Sequence, residues 1–151
     1  MSHGVTRGAY DDMNDMTLIE AENAIIEEFS MYEEWLDKYE YLIELGKSLG
    51  DYPESAKTDD RLIKGCQSRV WLDYRIEDGK VIFSADSDAI ITKGIISLLI
   101  CLYSGRKPQE IASSDFSVVE KIGLKENLSP TRANGLVSMI AKIREVAAAA
   151  M

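Results

Sequence analysis

The sequence has 151 residues, of which 46% are hydrophobic, and its 17 basic and 26 acidic residues give a net charge of −9. This length and apolar content predict one domain with a normal core, and the negative charge argues against nucleic acids and anionic membranes as partners. Two cysteines and one histidine are too few for a disulfide scaffold or a zinc site. With a polar start and no apolar stretch of about 20 residues, the chain is predicted to be cytoplasmic.

The N-terminal third predicts two helices and a loop. Residues 1–15 lack periodicity and are predicted to be disordered, ahead of a single domain over residues 16–151. Apolar positions recur at helical spacing from Thr17, and Ser30 with Glu33 resembles a capping box at the start of the second helix. Polar residues and a proline then predict a loop before the next regular element.

A small antiparallel sheet is predicted in the middle of the chain. Alternating apolar and polar residues over 70–77 predict a half-buried strand. Asp78 and the glycine after it predict a hairpin turn, and residues 81–85 predict the returning strand. Residues 61–63 are predicted to form a short strand that leads into a turn at Cys66.

The C-terminal half predicts further helices. A segment that is apolar nearly all round, capped by Ser87 or Asp88, predicts a buried helix that contains Cys101. Two short helices follow, and Ser129 with Pro130 predicts the N-cap and first residue of the last helix. This order of elements, helices followed by a small sheet and more helices, predicts an α+β domain.

The turn at Cys66 is the candidate site. A cysteine–histidine hydrolase needs a base beside the thiol, an iron–sulfur scaffold needs three or four ligands, and a dithiol oxidoreductase needs a second cysteine close by. None of these fits a chain whose only histidine is His3 and whose Cys101 is predicted in the core. A single thiolate can still take sulfur from another sulfur atom and keep it as a persulfide. A buried, inert Cys66 is the alternative that the residues leave open.

Local charge predicts an activated thiol. Residues 57–75 contain five basic and three acidic residues in a chain of net charge −9, and nearby cations favour the thiolate form of cysteine. Gly65 permits a turn that presents Cys66 to a partner, and the N–H groups of a tight turn can hold an anion. The same basic residues are equally consistent with a solvated rim.

Four segments, in order, resemble the SufE family of sulfur-acceptor proteins. They are residues 41–46 (YLIELG), 65–71 (GCQSRVW), 84–94 (SADSDA, ending in KG) and 128–136 (LSPTRANGL). The resemblance covers roughly residues 29–146, most of the chain. It implies a SufE/NifU-like α+β fold: a three-stranded antiparallel sheet with helices packed on one face, in which the cysteine loop joins the first two strands.

The resemblance also implies a function. SufE proteins accept persulfide sulfur from a SufS-type cysteine desulfurase, raise the turnover of that enzyme, and pass the sulfur to the SufBCD scaffold complex for iron–sulfur cluster assembly. Cys66 matches the cysteine that carries the persulfide. The chain itself would then be no enzyme and would hold no metal or cofactor, since pyridoxal phosphate belongs to the desulfurase.

Further site residues follow from the same resemblance. Arg132 would lie near the cysteine loop or at the desulfurase surface, and Asp86 would hold the loop closed; a solvated arginine and a helix cap are the alternatives. Gln67 and Ser68, beside Cys66, would position the loop or contact the partner. SufE-like proteins also keep the resting thiol in an apolar recess, which would raise its pKa and protect a persulfide.

Three alternatives to this function stay open. A CsdE-like protein would share the motifs but take its sulfur from a different desulfurase. A non-carrier would activate a desulfurase by binding alone, and a single-cysteine redox sensor would form a sulfenic acid with mild peroxide. Replacing Cys66 by alanine separates an activator, which keeps its effect, from a carrier, which loses it.

Overall fold

The computed structural model describes residues 16–151, and the prediction for residues 1–15 lies outside the described residues. The regular elements, in chain order, are α1 Leu18–Ser30, α2 Trp35–Lys47, β1 Val70–Glu77, β2 Lys80–Ser87, α3 Ile90–Tyr103, α4 Pro108–Ser113, α5 Val118–Lys121 and α6 Pro130–Ala150. Single turns of 3₁₀ helix lie at Glu54–Ala56, Asp59–Arg61 and Lys125–Asn127. The predicted α+β class is confirmed.

A capping box begins the first helix rather than the second. The Thr17 hydroxyl accepts from the Glu20 N–H at 3.2 Å, and the Glu20 carboxylate accepts from the Thr17 N–H at 2.9 Å. The capping box predicted at Ser30 and Glu33 is wrong, because Ser30 is the last residue of α1 and its hydroxyl bonds back to a carbonyl of the same helix. Helix α2 begins after Glu34 without a side-chain cap.

The hairpin is the predicted one. Strands β1 and β2 pair antiparallel in a register that sets Val70 opposite Ser87. The two turn residues, Asp78 and Gly79, have φ values of 54° and 76°, the left-handed pair that a type I′ turn requires. Because this turn twists in the same sense as the strands, it fixes the register of the whole hairpin.

The third strand expected at residues 61–63 is reduced to one bridge, which corrects the predicted sheet from three strands to two within residues 16–151. Leu62 bridges to Trp71, and the Ile63 N–H donates to the Val70 carbonyl oxygen at 2.8 Å. Gly65, with φ of 94°, turns the chain back before a second pair can form. The cysteine loop therefore joins a β-bridge to β1, not two strands.

The core lies between β2 and the helices. Buried apolar residues from every α-helix and both strands form one cluster. Helix α3 is buried along most of its length and packs on β2. Cys101, 2% exposed, is one of its core residues, as predicted. No helix among residues 16–151 combines the length and the hydropathy that crossing a bilayer requires.

Two glycines bring α2 and α3 into close contact. A Cβ atom on Gly94 would collide with the backbone carbonyl of Leu42, lying 2.7 Å from its carbon. A Cβ atom on Gly46 would lie 3.1 Å from the Gly94 nitrogen. Both glycines belong to segments that carry the SufE resemblance, and the contact gives a packing reason for each of them.

Candidate functional site

Cys66 lies at the end of a turn and rests on helix α6. Its Sγ donates to the Gly135 carbonyl oxygen at 3.6 Å. Gly135 lets the sulfur come this close because it has no side chain; a Cβ atom there would lie 3.5 Å from Sγ. Gly65 packs in the same way on the next turn of α6, where a Cβ atom would collide with the Ser138 side chain. The turn is thus seated on two small residues of α6.

A cavity of about 300 Å³ opens beside the sulfur. Its buried wall is formed by Thr92, Ile95 and Met139, whereas exposed Gln67 and Arg132 lie at its rim. The hydroxyl-bearing residues of the lining are Ser68, Thr92, Ser129 and Thr131. The recess is therefore apolar only in part, and it is large enough for a second sulfur atom beside the thiol.

The thiol is not activated in this state. Burial raises the pKa of the Cys66 thiol, which is the direction that the SufE resemblance implies and the opposite of the one predicted from local charge. Three of the five basic residues near Cys66 are held by carboxylates instead. They are Lys57 with Glu54 at 2.7 Å and Asp86 at 3.2 Å, Arg61 with Asp73 at 3.0 Å, and Arg75 with Glu77 at 3.0 Å.

The far end of the loop is fastened at Arg69. The Arg69 N–H donates to Asp88 Oδ1 at 3.0 Å, and the Arg69 carbonyl oxygen accepts from the Asp88 N–H at 3.2 Å and from the Ser87 hydroxyl at 2.8 Å. Ser87 and Asp88 were predicted to cap α3, but the N-cap position is Ala89, without a side-chain hydrogen bond. Both side chains bond to Arg69 and so hold the loop, while the Ser87 hydroxyl also accepts from the Ala89 N–H at 3.3 Å.

Asp86 lies beside this loop. Its carboxylate, on a side chain 17% exposed, pairs with Lys57 at 3.2 Å and with Lys93 at 3.1 Å. Desolvation alone would raise the pKa of Asp86, but hydrogen bonds from the Ser87 N–H, Lys93 and Lys57 outweigh it and lower that pKa. Within the described chain the carboxylate makes no hydrogen bond to residues 64–69, so it joins the segment before the loop to α3.

Arg132 is exposed in the first turn of α6, at the rim of the cavity. Its N–H donates to the Ser129 hydroxyl at 3.3 Å, which confirms the predicted N-cap. Its guanidinium forms no ion pair with any described residue. The structure thus brings Cys66, Gln67, Ser68 and Arg132 together in the lining of one cavity.

Comparison with known proteins fits this arrangement. The chain matches the family model described as a SufE, Fe–S metabolism associated domain over residues 23–147. It is 43% identical over 128 residues to an uncharacterized SufE-like protein of Rhizobium etli, covering 82% of this chain and 86% of the relative. The chain belongs to the SufE family. This membership gives it a role in iron–sulfur metabolism.

A second relative agrees with the SufE assignment, and a solved structure agrees with the fold. An uncharacterized SufE-like protein of Rhizobium meliloti is 41% identical over 128 residues, covering 82% of this chain and 91% of the relative. The solution structure of a hypothetical protein from Thermus thermophilus superposes with a TM-score of 0.71 at 20% identity, covering 85% of this chain and 94% of that one. The last comparison supports the fold alone.

Sequence reasoning missed how this SufE turn is seated. Gly135 and Ser138 lie on α6, about 70 positions from the turn that rests on them. One signal was available, because a glycine inside a helix costs stability and so needs a packing reason.

Among residues 16–151, no three His, Cys, Asp or Glu side chains gather closely enough to hold a metal ion.

Replacing Gly65 by alanine is expected to destabilise the turn. A φ of 94° costs a residue with a side chain about 1–2 kcal/mol, and the added methyl would also meet Ser138. Gly79→Ala is the matched control, since Gly79 has a φ of 76° with open space around it. Urea unfolding should show a larger loss for Gly65→Ala. Equal losses of unfolding free energy in the two variants would mean that the Ser138 side chain moves aside without cost.

Alkylation of Cys66 is expected to be slow at neutral pH and to follow a pKa above that of a free cysteine. Burial disfavours the thiolate, which is the reactive form. Since the pKa is higher in the folded state, the thiol's contribution to stability is present below the ordinary thiol pKa and is lost as the pH rises through the folded one. Iodoacetamide rates against pH, with peptide mapping, measure this; urea-unfolded protein is the control. A pKa below the free value would show that local cations prevail.

Proposed function

We propose that this chain is a sulfur acceptor for iron–sulfur cluster assembly. Cys66 takes persulfide sulfur from a SufS-type cysteine desulfurase, which raises the turnover of that enzyme, and passes the sulfur to the SufBCD scaffold complex. The observation that carries the proposal is the placing of Cys66: half-buried on a turn, beside a cavity of about 300 Å³. A carrier needs a cysteine that a partner can reach, with room beside it for the second sulfur.

The transfer balances without an oxidant or a cofactor of this chain. The Cys66 thiolate attacks the outer sulfur of the desulfurase persulfide, and a new S–S bond forms on Cys66 as the old one breaks. The desulfurase cysteine leaves as a thiolate and can begin another cycle. Pyridoxal phosphate belongs to the desulfurase, so the chain acts as a covalent sulfur-transfer partner rather than as an enzyme. Neither nucleic acid nor a membrane takes part.

The packing of the turn on α6 keeps the resting thiol of Cys66 unreactive. Because burial raises the pKa of Cys66, few molecules carry the reactive thiolate at neutral pH. The turn must therefore leave α6 when the desulfurase docks. Gln67 and Ser68 move with Cys66 and reach the partner first, whereas the bonds of Arg69 keep the end of the loop in place.

Arg132 is proposed to steer docking. Its guanidinium is exposed beside the cavity and free of any described carboxylate, in a chain of net charge −9. Arg132→Ala should raise the concentration needed for half-maximal desulfurase stimulation about threefold to tenfold and weaken its salt dependence, with the maximal rate unchanged. Arg75→Ala, which removes a hairpin arginine paired with Glu77, is the control. Equal stimulation curves for the two variants would show that Arg132 does not belong to the interface with the desulfurase.

Mass spectrometry tests the proposed function. The protein is incubated with a SufS-type desulfurase and cysteine, without reductant, and its peptides are mapped. One added sulfur is expected on the peptide with Cys66, and none on the peptide with Cys101, whose burial makes it the internal control. An unmodified Cys66 with raised desulfurase turnover would indicate an activator. An adduct formed only with another desulfurase would favour the CsdE-like alternative.

A further inference from the structure

The tip of the cysteine loop has one polar attachment. Over residues 64–68 of the described structure, the hydrogen bond from Cys66 Sγ to the Gly135 carbonyl oxygen at 3.6 Å is the only one that reaches the rest of the protein. The two ends of the loop are held separately, by the bond to the Val70 carbonyl oxygen and by the bonds of Arg69 to Ser87 and Asp88. What Cys66 carries therefore decides whether this polar attachment exists.

We propose that the Gly135 carbonyl is a positioning group that separates the empty carrier from the loaded one. It holds the loop against α6 while Cys66 is a thiol, and loading with sulfur releases the loop. The inference rests on the proposed function, because it concerns the persulfide that this function forms. Gly135 touches no reacting atom of the partner and acts only through the position of Cys66.

The chemistry of the sulfur supports this. In the thiol, Sγ is bonded to Cβ and to hydrogen, and that hydrogen is the donor to Gly135. In the persulfide, Sγ is bonded to Cβ and to the outer sulfur and has no hydrogen, whether or not the outer sulfur is ionised. Its lone pairs then face the lone pairs of the carbonyl oxygen. The attraction that seats the loop is lost upon loading.

Release leaves no group on α6 unsatisfied. The Gly135 carbonyl oxygen lies inside a 21-residue helix, where the N–H four positions later remains its partner. A Cys66 thiol therefore gains a hydrogen bond when the loop packs on α6, whereas a persulfide at Cys66 loses no hydrogen bond when the loop leaves α6. This difference suits a carrier, because the empty form keeps its loop on α6 and the loaded form presents its loop to the next acceptor.

NMR relaxation of the backbone amides of residues 64–68 tests the inference without a desulfurase. Methyl methanethiosulfonate converts Cys66 into a neutral methyl disulfide, whose Sγ has the bonds of a persulfide sulfur and no hydrogen. The order parameters of these amides should fall from about 0.85, typical of rigid backbone, in the thiol form to below about 0.6 in this form. Order parameters in the hairpin, residues 76–81, should not change and serve as the internal reference.

Two variants separate the lost donor from changed bulk. Cys66→Ala removes the donor and makes the side chain smaller, and it should lower the order parameters of residues 64–68 as the methyl disulfide does. Cys66→Ser keeps a donor hydrogen and should stay close to the thiol form. Unchanged order parameters in the methyl disulfide, or a serine variant as mobile as the alanine variant, would overturn the inference. Sulfur acceptance is measured by the mass of the Cys66 peptide, so either idea can fail without the other.

Discussion

Gly94→Ala is expected to lower the free energy of unfolding by about 2–3 kcal/mol, the upper part of the range for overpacking a close contact. The new methyl would collide with the backbone of Leu42, lying 2.7 Å from its carbonyl carbon and 3.1 Å from its Cβ. A backbone carbonyl cannot rotate away as a side chain can, so α2 and α3 would have to separate. Urea denaturation followed by circular dichroism measures the loss.

Two other glycines provide the controls for Gly94→Ala. Gly50→Ala places its methyl in open space and should leave stability within about 0.5 kcal/mol of the parent. Gly46→Ala faces the same helix contact at 3.1–3.4 Å and should cost less than Gly94→Ala. A Gly94→Ala protein as stable as Gly50→Ala would show that the two helices are not held at this separation.

Cys66→Ala is expected to abolish stimulation of the desulfurase, so that turnover falls to the rate of the enzyme alone. Without Sγ the chain has no atom that can take the outer sulfur, and the desulfurase persulfide must wait for another acceptor. The fold should survive, because Cys66 is only half-buried and lies on a turn. Sulfide or alanine production, measured with and without the variant, gives the effect directly.

Cys101→Ala is the matched control for the loss of a thiol. Cys101 lies in the core of α3, so this variant should lose stability by about 1 kcal/mol or more through the space it leaves. Its stimulation of the desulfurase, assayed below its unfolding temperature, should equal that of the parent. A Cys66→Ala protein that still stimulates would establish an activator in place of a carrier.

Features that depend on neighbouring residues could be predicted from the sequence. The Asp-Gly turn is a local signal, because two adjacent residues with positive φ define it. The cap at Ser129 is local as well, and so is the buried character of α3. The choice of Cys66 as the candidate site came from counting cysteines and histidines and from the SufE resemblance, neither of which needs coordinates.

Features set by distant residues were not predictable. The prediction of a third strand failed because residues 59–61 form a 3₁₀ turn and the chain beside β1 forms a single bridge, between Leu62 and Trp71. The prediction of an activated thiol failed because Cys66 is half-buried against α6, which comes much later in the chain, and burial raises its pKa. Some of the basic residues that were counted along the chain also pair with carboxylates in the folded structure. Asp88 looked like a helix cap from its position, yet its partner is Arg69, 19 residues earlier.

The closed base of the cysteine loop limits how far its sulfur can travel. The bond from the Ile63 N–H to the Val70 carbonyl oxygen ties the two sides of the loop together at 2.8 Å. Cys66 lies three positions after Ile63, and three extended residues span about 10 Å. Under the proposed function, a donor cysteine in a pocket deeper than this reach must advance toward this chain. The bond between Ile63 and Val70 thus sets a maximum depth for the active site of a sulfur-donating partner.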